Sequence, residues 1–259
     1  MDLGIGYGYV FKEEEMKLLM LWLSVCLYGI GANAVVVWGP PTTMGKGEVR
    51  TFIETTDSGE PLSIGLAFPK EAMEGLSEHA PEVFVVALPS AMALPPYNHV
   101  MLDWMPHGHD PDSVYGRPHF DFHFYMMSSE DRQKITCLGP DEAVCMKQPL
   151  RELIPPFYVP TPAGVPQMGW HWVDPRSPEY NGQPFTSTMI YGFYNGEMSF
   201  IEPMITKEFI QATTWFASLI PVPDKVMISG HYPTAYSLAY DPFKNLYYVK
   251  LKNLVKKEK

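Results

Sequence analysis

The sequence predicts a mainly β fold of the α+β type, with antiparallel sheets or a barrel-like β core and two or three short helices. Its 26 proline and 20 glycine residues follow no repeating period, which is typical of turn-rich β proteins. Short apolar runs alternate with turn signals, and Asn195-Gly196 between two such runs is a strong β-hairpin signal. The chain has 259 residues, 46% of them hydrophobic, which is enough to bury a sizeable core.

The first predicted elements are a β-hairpin and a short helix. Residues 48–56 and 62–68 are extended runs on either side of Asp57-Ser58-Gly59-Glu60. Pro69 then begins a predicted helix at residues 70–76, because proline is favoured in the first turn of a helix. Two apolar strands follow, at residues 83–88 and 99–104.

The second half of the chain predicts one clear hairpin and one longer helix. Residues 126–168 are polar and proline-rich, so we expect mostly loop there, with a helical turn near residues 141–146. The hairpin joins residues 186–194 to residues 197–203. Thr206 is placed to cap a helix over residues 207–219. The other predicted strands are residues 170–173, 226–229, 235–240 and 246–251.

The N-terminal segment has the pattern of a secretory signal peptide. Lys17 precedes an apolar run at residues 18–28, and Ala32-Asn33-Ala34 is a small-x-small cleavage site. We therefore expect residues 1–34 to be a signal peptide, with Met16 as an alternative true start, and residues 35–259 to form a single β-rich domain. A membrane anchor is the alternative, although glycines interrupt the apolar run before the ~20 residues that a span requires.

Charge and cysteine content constrain location and partners. The net charge of -10 argues against nucleic acid, which requires clustered lysine and arginine. We expect an exported protein in the periplasm, the extracellular space or the envelope, with no stable membrane span after cleavage. Loss of Cys26 with the signal peptide would leave Cys137 and Cys145 as an even pair, which predicts a disulfide in an oxidising compartment. Exposed aromatic residues and strand edges favour a homo-oligomer.

The histidine-rich segment from His107 to Tyr125 is the main functional signal. Four of the eight histidines lie in it, and imidazole and carboxylate groups are common ligands of zinc, manganese, iron and copper. Residues 119–125 read HFDFHFY, so a strand would place His119, Asp121 and His123 on one face. His119 and His123 would lie ~13 Å apart, so one ion is expected to bind Asp121 with one of these histidines, or to bind only one of the three residues.

Further ligands must come from elsewhere in the chain. His107-Gly108-His109 is a second pair, and Gly108 allows the backbone to bend so that both rings could converge. His171 lies between two tryptophans, and Glu202 occupies an apolar strand face where an unpaired carboxylate would be costly. The predicted ligands of the divalent metal ion are His107, His109, His119, Asp121, His123, His171 and Glu202.

Several segments of the chain resemble an uncharacterised family of exported bacterial proteins, a domain of unknown function. The longest pieces are the DWxPHGH stretch at residues 103–109 and PHFDFHFY at residues 118–125. The resemblance implies export, a shared fold and, loosely, an envelope or stress-related role. Shorter matching pieces are Gly47–Arg50, Ser63–Gly65, Met168–Trp172, Pro184–Thr186, Glu202–Met204 and Tyr232–Thr234.

A weaker resemblance is to cupins, β-barrels that hold a metal through an HxH pair, a glutamate and a later histidine. His107-Gly108-His109 supplies the pair and His171 the later histidine, but Ser113 occupies the region where the glutamate is expected. The cupin pattern also has no counterpart of the HFDFH strand.

Two functional hypotheses remain open from the sequence. The first is an exported protein with a His/carboxylate divalent-metal site, either an enzyme or a binding protein for a small-molecule ligand. The second is a non-catalytic, self-assembling envelope or stress-related binding protein whose histidines form a structural polar layer. No GxSxG, HExxH, P-loop or dinucleotide motif is present in the sequence to name a reaction.

Overall fold

The structure, a computed structural model, describes residues 34–259, and its strands form two antiparallel sheets. The strands are β1 (Val35–Met44), β2 (Gly47–Thr55), β3 (Pro61–Pro69), β4 (Glu82–Ala87), β5 (His99–Met105), β6 (His119–Tyr125), β7 (Val159–Val165), β8 (Gly169–Val173), β9 (Ser187–Tyr194), β10 (Glu197–Thr206), β11 (Trp215–Leu219), β12 (Gly230–Asp241) and β13 (Leu246–Lys257). One sheet has the order β1-β2-β3-β13-β12-β11, and the other has the order β4-β5-β6-β10-β9-β8-β7. Within residues 34–259 both sheets are open, so the mainly β prediction is confirmed but no closed barrel is formed.

The helices of the described residues are all short. The α-helices are α1 (Asp112–Tyr115), α2 (Ser129–Gln133), α3 (Glu142–Cys145) and α4 (Lys207–Ala212). Four further turns are 3₁₀ helices, at Lys70–Met73, Gly139–Asp141, Arg151–Leu153 and Pro178–Asn181. Among residues 34–259, none of the helices combines the length and the apolar character that a membrane span requires.

The two sheets pack face to face through an aromatic core. The Phe68 ring of β3 lies 6.5 Å from the Phe120 ring and 6.3 Å from the Phe122 ring of β6. All three side chains are almost completely buried. The phenylalanine face of β6 therefore points at the six-stranded sheet, and the polar face of β6 lies on the outer side of the seven-stranded sheet.

Both predicted hairpins are present. The β2–β3 pair encloses the predicted turn at residues 57–60, and β9 pairs with β10 around Asn195-Gly196. Asn195 and Gly196 have φ values of 53° and 79°, as a two-residue turn of the primed type requires. The turn residues were thus sufficient to predict which strands pair in these two hairpins.

Four local predictions were wrong or incomplete. The helix after Thr206 ends at Ala212, and Trp215–Leu219 instead form β11, the edge strand that pairs with β12. The helix after Pro69 is only the 3₁₀ turn Lys70–Met73. Residues 226–229 lie outside any strand, since β12 begins at Gly230. The region expected to be mostly loop contains β7, an edge strand paired with β8.

The disulfide between Cys137 and Cys145 is formed, with the two Cα atoms 5.2 Å apart. It packs against β7, where a Cβ atom added at Gly164 would collide with the Sγ atoms of both cysteines. The Cys137 Sγ atom also lies 3.4 Å from the carbonyl oxygen of Val165. The bridge therefore supports the edge strand of the seven-stranded sheet. The expected signal peptide and Cys26 lie outside the described residues.

Candidate metal centre

Strand β6 carries the centre of the site. His119, Asp121 and His123 alternate with the core phenylalanines, and all three polar side chains are buried. The shared polar face predicted from the HFDFHFY pattern is thus confirmed, and two of its residues, Asp121 and His123, line a cavity. A buried row of imidazole and carboxylate groups requires partners, because unpaired polar groups are costly to remove from water.

Neighbouring strands add acidic and imidazole groups to the same face. Asp103 of β5 lies directly opposite Asp121 in the antiparallel ladder. Glu202 comes from β10 and His171 from β8, and His109 comes from the loop after β5. The sheet order therefore brings together residues that are far apart in sequence.

The first set of converging ligands is the Asp121 group, which we define as His109, His119 and Asp121. The Nε2 atom of His119 lies 3.0 Å from one Asp121 carboxylate oxygen, and the Nε2 atom of His109 lies 3.6 Å from the other. One ligand atom from each of the three residues lies within 4.8 Å of the others. This spacing suits two nitrogen ligands and one oxygen ligand around a single ion.

Backbone contacts fix the tautomers of both histidines in the Asp121 group. The Nδ1 atom of His119 lies 2.6 Å from the carbonyl oxygen of Arg117, and that of His109 lies 2.9 Å from the carbonyl oxygen of Asp110. A carbonyl oxygen can only accept, so each Nδ1 atom carries the proton. In the neutral imidazoles, both Nε2 atoms then present a lone pair toward Asp121, as metal-bound histidines do.

The second set is the Glu202 group, which we define as His123, His171 and Glu202. The Nε2 atom of His123 lies 3.3 Å from one Glu202 oxygen, and the Nε2 atom of His171 lies 3.9 Å from the other. Ligand atoms of these three residues also lie within 4.8 Å of one another. Asp103 adjoins this group, with a carboxylate oxygen 3.7 Å from Nδ1 of His123.

Many buried polar atoms of the two groups make no hydrogen bond to the described residues. Native proteins leave few buried polar atoms unpaired, so ordered water or a bound ion would have to supply the partners that the protein does not. The short contacts between imidazole nitrogen and carboxylate oxygen lack hydrogen-bond geometry. The unpaired atoms are Asp103 Oδ1, His119 Nε2, Asp121 Oδ1, His123 Nδ1 and Nε2, His171 Nδ1 and Glu202 Oε2.

The electrostatics of the two groups differ. Burial raises the pKa of Glu202 well above its ordinary value, and the charges of Asp121 and Asp103 raise it further. Burial lowers the pKa of His123 to about 3 and, together with the charge of His109, lowers the pKa of His171 to about 4. Without a cation, the Glu202 group therefore favours uncharged side chains.

In the Asp121 group, interactions between the histidines and the carboxylate have a larger effect on the pKa values than burial does. Burial would raise the pKa of Asp121, but His119 and His109 outweigh it and hold that pKa below its ordinary value. Burial would likewise lower the pKa of His109, but Asp121 outweighs it and raises that pKa. Positive charge beside Asp121 is therefore favourable, whether a proton or a metal ion supplies it.

A cavity of about 550 Å³ lies over both groups. Its polar lining, which we call the floor, consists of Asp103, His109, Asp121, His123, His171 and Glu202. Its walls are mainly apolar, with two tyrosines whose hydroxyl oxygens are 2.9 Å apart. The apolar and aromatic wall residues are Met105, Pro111, Tyr115, Pro162, Ala163, Val165, Met168, Val173, Tyr180, Ile190 and Met204.

The structure places most, but not all, of the predicted ligands in this site. His107 is exposed and belongs to neither group, so the HxH pair behind the cupin resemblance does not converge. Asp103 is absent from the ligands that the sequence predicts. Period-two alternation on β5 gave a usable signal, since Met101, Asp103 and Met105 share a face opposite the core residues Leu102 and Trp104.

Comparison with known proteins gave one match. Residues 56–104 match the family described as TTHB210-like, hypothetical protein TTHB210, which fits an uncharacterised domain. Neither the curated proteins nor the solved structures gave a significant match. The match includes Asp103 but leaves β6, β8 and β10 uncovered, so it carries no information about the histidines of the site.

Proposed function

We propose that the chain is a divalent-metal protein that holds one ion in the Asp121 group and one in the Glu202 group. The observation that carries this is the convergence of unpaired, buried imidazole nitrogens and carboxylate oxygens from four separate chain segments. A cation at each position would bind these lone pairs and offset the buried negative charge. No protein group satisfies those atoms in the same geometry.

The donor sets favour zinc or ferrous iron over the other candidates. Each group offers two imidazole nitrogens and one carboxylate oxygen, a set that leaves coordination positions open at either metal. Manganese and copper also accept such ligands. An open position facing the cavity is where a water molecule or a ligand would bind and be polarised.

The protein is further proposed to act outside the cytoplasm. The N-terminal pattern of a signal peptide and the Cys137–Cys145 disulfide support this, because structural disulfides persist mainly in oxidising compartments. Cleavage after Ala34 would leave residues 35–259 as a single β-rich domain.

A second candidate is the non-catalytic, self-assembling protein whose histidines form a polar layer. The exposed edge strand β11 favours it, because Trp215 is 69% exposed and Leu219 is 82% exposed there. An apolar, unpaired strand edge is a common site of association between chains. This candidate requires no metal, so metal content separates the two.

Elemental analysis of the purified chain tests the metal proposal. We expect about two zinc ions per chain after loading and dialysis. His119→Ala should lose the ion of the Asp121 group, and His123→Ala should lose that of the Glu202 group. His107→Ala, in the same segment but outside both groups, is the matched control and should keep both ions.

Circular dichroism of each variant shows whether it retains the fold. Metal content that is negligible in the parent chain, or unchanged in folded His119→Ala and His123→Ala, would remove the metal proposal and leave the polar-layer protein.

A further inference from the structure

The cavity over the two groups differs sharply between floor and walls. Its floor carries the carboxylates and imidazoles, whereas much of its wall consists of apolar side chains such as Val165, Met168 and Ile190. At about 550 Å³ it falls within the ~300–1,000 Å³ range of small-molecule sites. An occupant must therefore combine a polar end with an apolar body.

The net charge of the floor with two metal ions bound determines which charge the polar end of the occupant should carry. Asp103, Asp121 and Glu202 contribute three negative charges when ionised, and two divalent ions contribute four positive charges. With neutral histidines, the floor would then carry a net charge of about +1. Arg132 is buried with its guanidinium carbon 5.3 Å from the Tyr125 ring, and its positive charge acts on Asp103 and His123 of the floor. An anionic head is favoured at such a floor.

Resting on the proposed function, we propose that the cavity binds an amphipathic monoanion of the fatty-acid type. Its carboxylate head would bind at the floor, where a metal ion held by the Asp121 group or by the Glu202 group would supply an open coordination position. Its alkyl chain lies against the apolar walls, where removal of apolar surface from water stabilises the complex. Neither the head nor the alkyl chain alone should bind tightly, because the floor binds the charged head and the walls bind the apolar chain.

Isothermal titration calorimetry with octanoate tests this on the zinc-loaded chain. Octanoate should bind the zinc-loaded protein at least about tenfold more tightly than the metal-free protein. Acetate has the head without the chain, and 1-octanol has the chain without the charge. Both should bind the zinc-loaded protein at least about tenfold more weakly than octanoate.

Variants of the cavity wall make the test specific to this site. Ala163→Phe and Val165→Trp, both on β7, should weaken octanoate binding at least about tenfold while the zinc content stays unchanged. Ala91→Phe, at an exposed position that does not line the cavity, is the matched control and should bind octanoate as the parent does.

The outcomes separate this inference from the metal proposal. A chain that holds two zinc ions but binds octanoate no better than 1-octanol overturns the fatty-acid inference alone. Equal octanoate binding by zinc-loaded and metal-free protein also overturns it. Absence of bound zinc overturns both proposals.

Discussion

Asp103 and Asp121 lie directly opposite each other on neighbouring antiparallel strands, and both carboxylates are buried on the same face. Like charges at such positions repel one another. Burial, together with the charge of Asp121, raises the pKa of Asp103 well above its ordinary value. The fold therefore holds a costly arrangement that a bound cation would relieve.

The first prediction concerns Asp103→Asn. A raised carboxyl pKa means that stability is lost as the pH rises from about 3.8, the ordinary Asp value, through the folded-state pKa. The amide cannot ionise, so the variant should be more stable than the parent at pH 7 in the presence of EDTA. Urea unfolding followed by tryptophan fluorescence measures this difference.

Saturating zinc should narrow or reverse the difference in stability between Asp103→Asn and the parent. The parent should gain more stability from saturating zinc, because it keeps the full negative charge beside the ions. Asp57→Asn, at an exposed turn, is the control and should behave as the parent. Equal stability gains from zinc in Asp103→Asn and the parent would contradict this role for Asp103.

The second prediction concerns the pH dependence of stability and His99. Burial and the charge of Arg132 lower the pKa of His99 to about 4, against about 6.5 for an ordinary histidine. Stability from this group is thus fully present above pH 6.5 and is lost as the pH falls toward 4. The buried ring also stacks on Tyr125, with the ring centroids 5.0 Å apart.

Replacement of His99 by glutamine should make the loss of stability between pH 6.5 and 4 less steep in EDTA. Chemical denaturation at closely spaced pH values measures the slope, and exposed His79→Gln is the matched control. An unchanged slope in His99→Gln would show that His99 takes up no extra proton on unfolding.

The third prediction concerns the Cys137–Cys145 bridge. The paired cysteines are separated by 8 positions, and closing so short a loop restricts the unfolded chain by about 2–3 kcal/mol. The double variant Cys137→Ser with Cys145→Ser should lower the free energy of unfolding by that amount. Urea unfolding with and without a reductant measures it, and the reductant should affect only the parent chain.

The fourth prediction concerns Gly164, where the bridge packs against β7. An added methyl group would collide with the Cys145 Sγ atom, so Gly164→Ala should destabilise the parent chain. The penalty should shrink when both cysteines are replaced by serine, because the smaller oxygen atoms leave more room. A double-mutant cycle measured by urea unfolding gives this coupling. If the effects of Gly164→Ala and of the two serine substitutions on the free energy of unfolding are strictly additive, the collision with the sulfur atoms is not the cause of the destabilisation.

Local signals in the sequence were sufficient wherever the deciding contacts are close along the chain. The alternation in HFDFHFY set the orientation of β6, and Asn195-Gly196 set the β9–β10 hairpin. Thr206 caps α4 as expected, since its hydroxyl accepts a hydrogen bond from the Phe209 amide, with 3.2 Å between the nitrogen and oxygen atoms. Each of these depends on neighbours within a few residues, so the residue types alone carry the information.

Tertiary structure decided what depends on distant partners. The sequence predicts Trp215–Leu219 as the end of a helix, yet they pair with β12 because the open edge of that sheet offers backbone hydrogen bonds. The placement of His123 and His171 in one group, and of His109 and His119 in another, follows from strand order and one loop. Strand order and the loop after β5 also explain why His107 lies outside the site and why Asp103 lies within it. The spacing of residues along the chain shows which face of a strand a side chain occupies. Whether ligands converge depends instead on which strands are neighbours in the sheet, and the distance between residues along the sequence does not determine that.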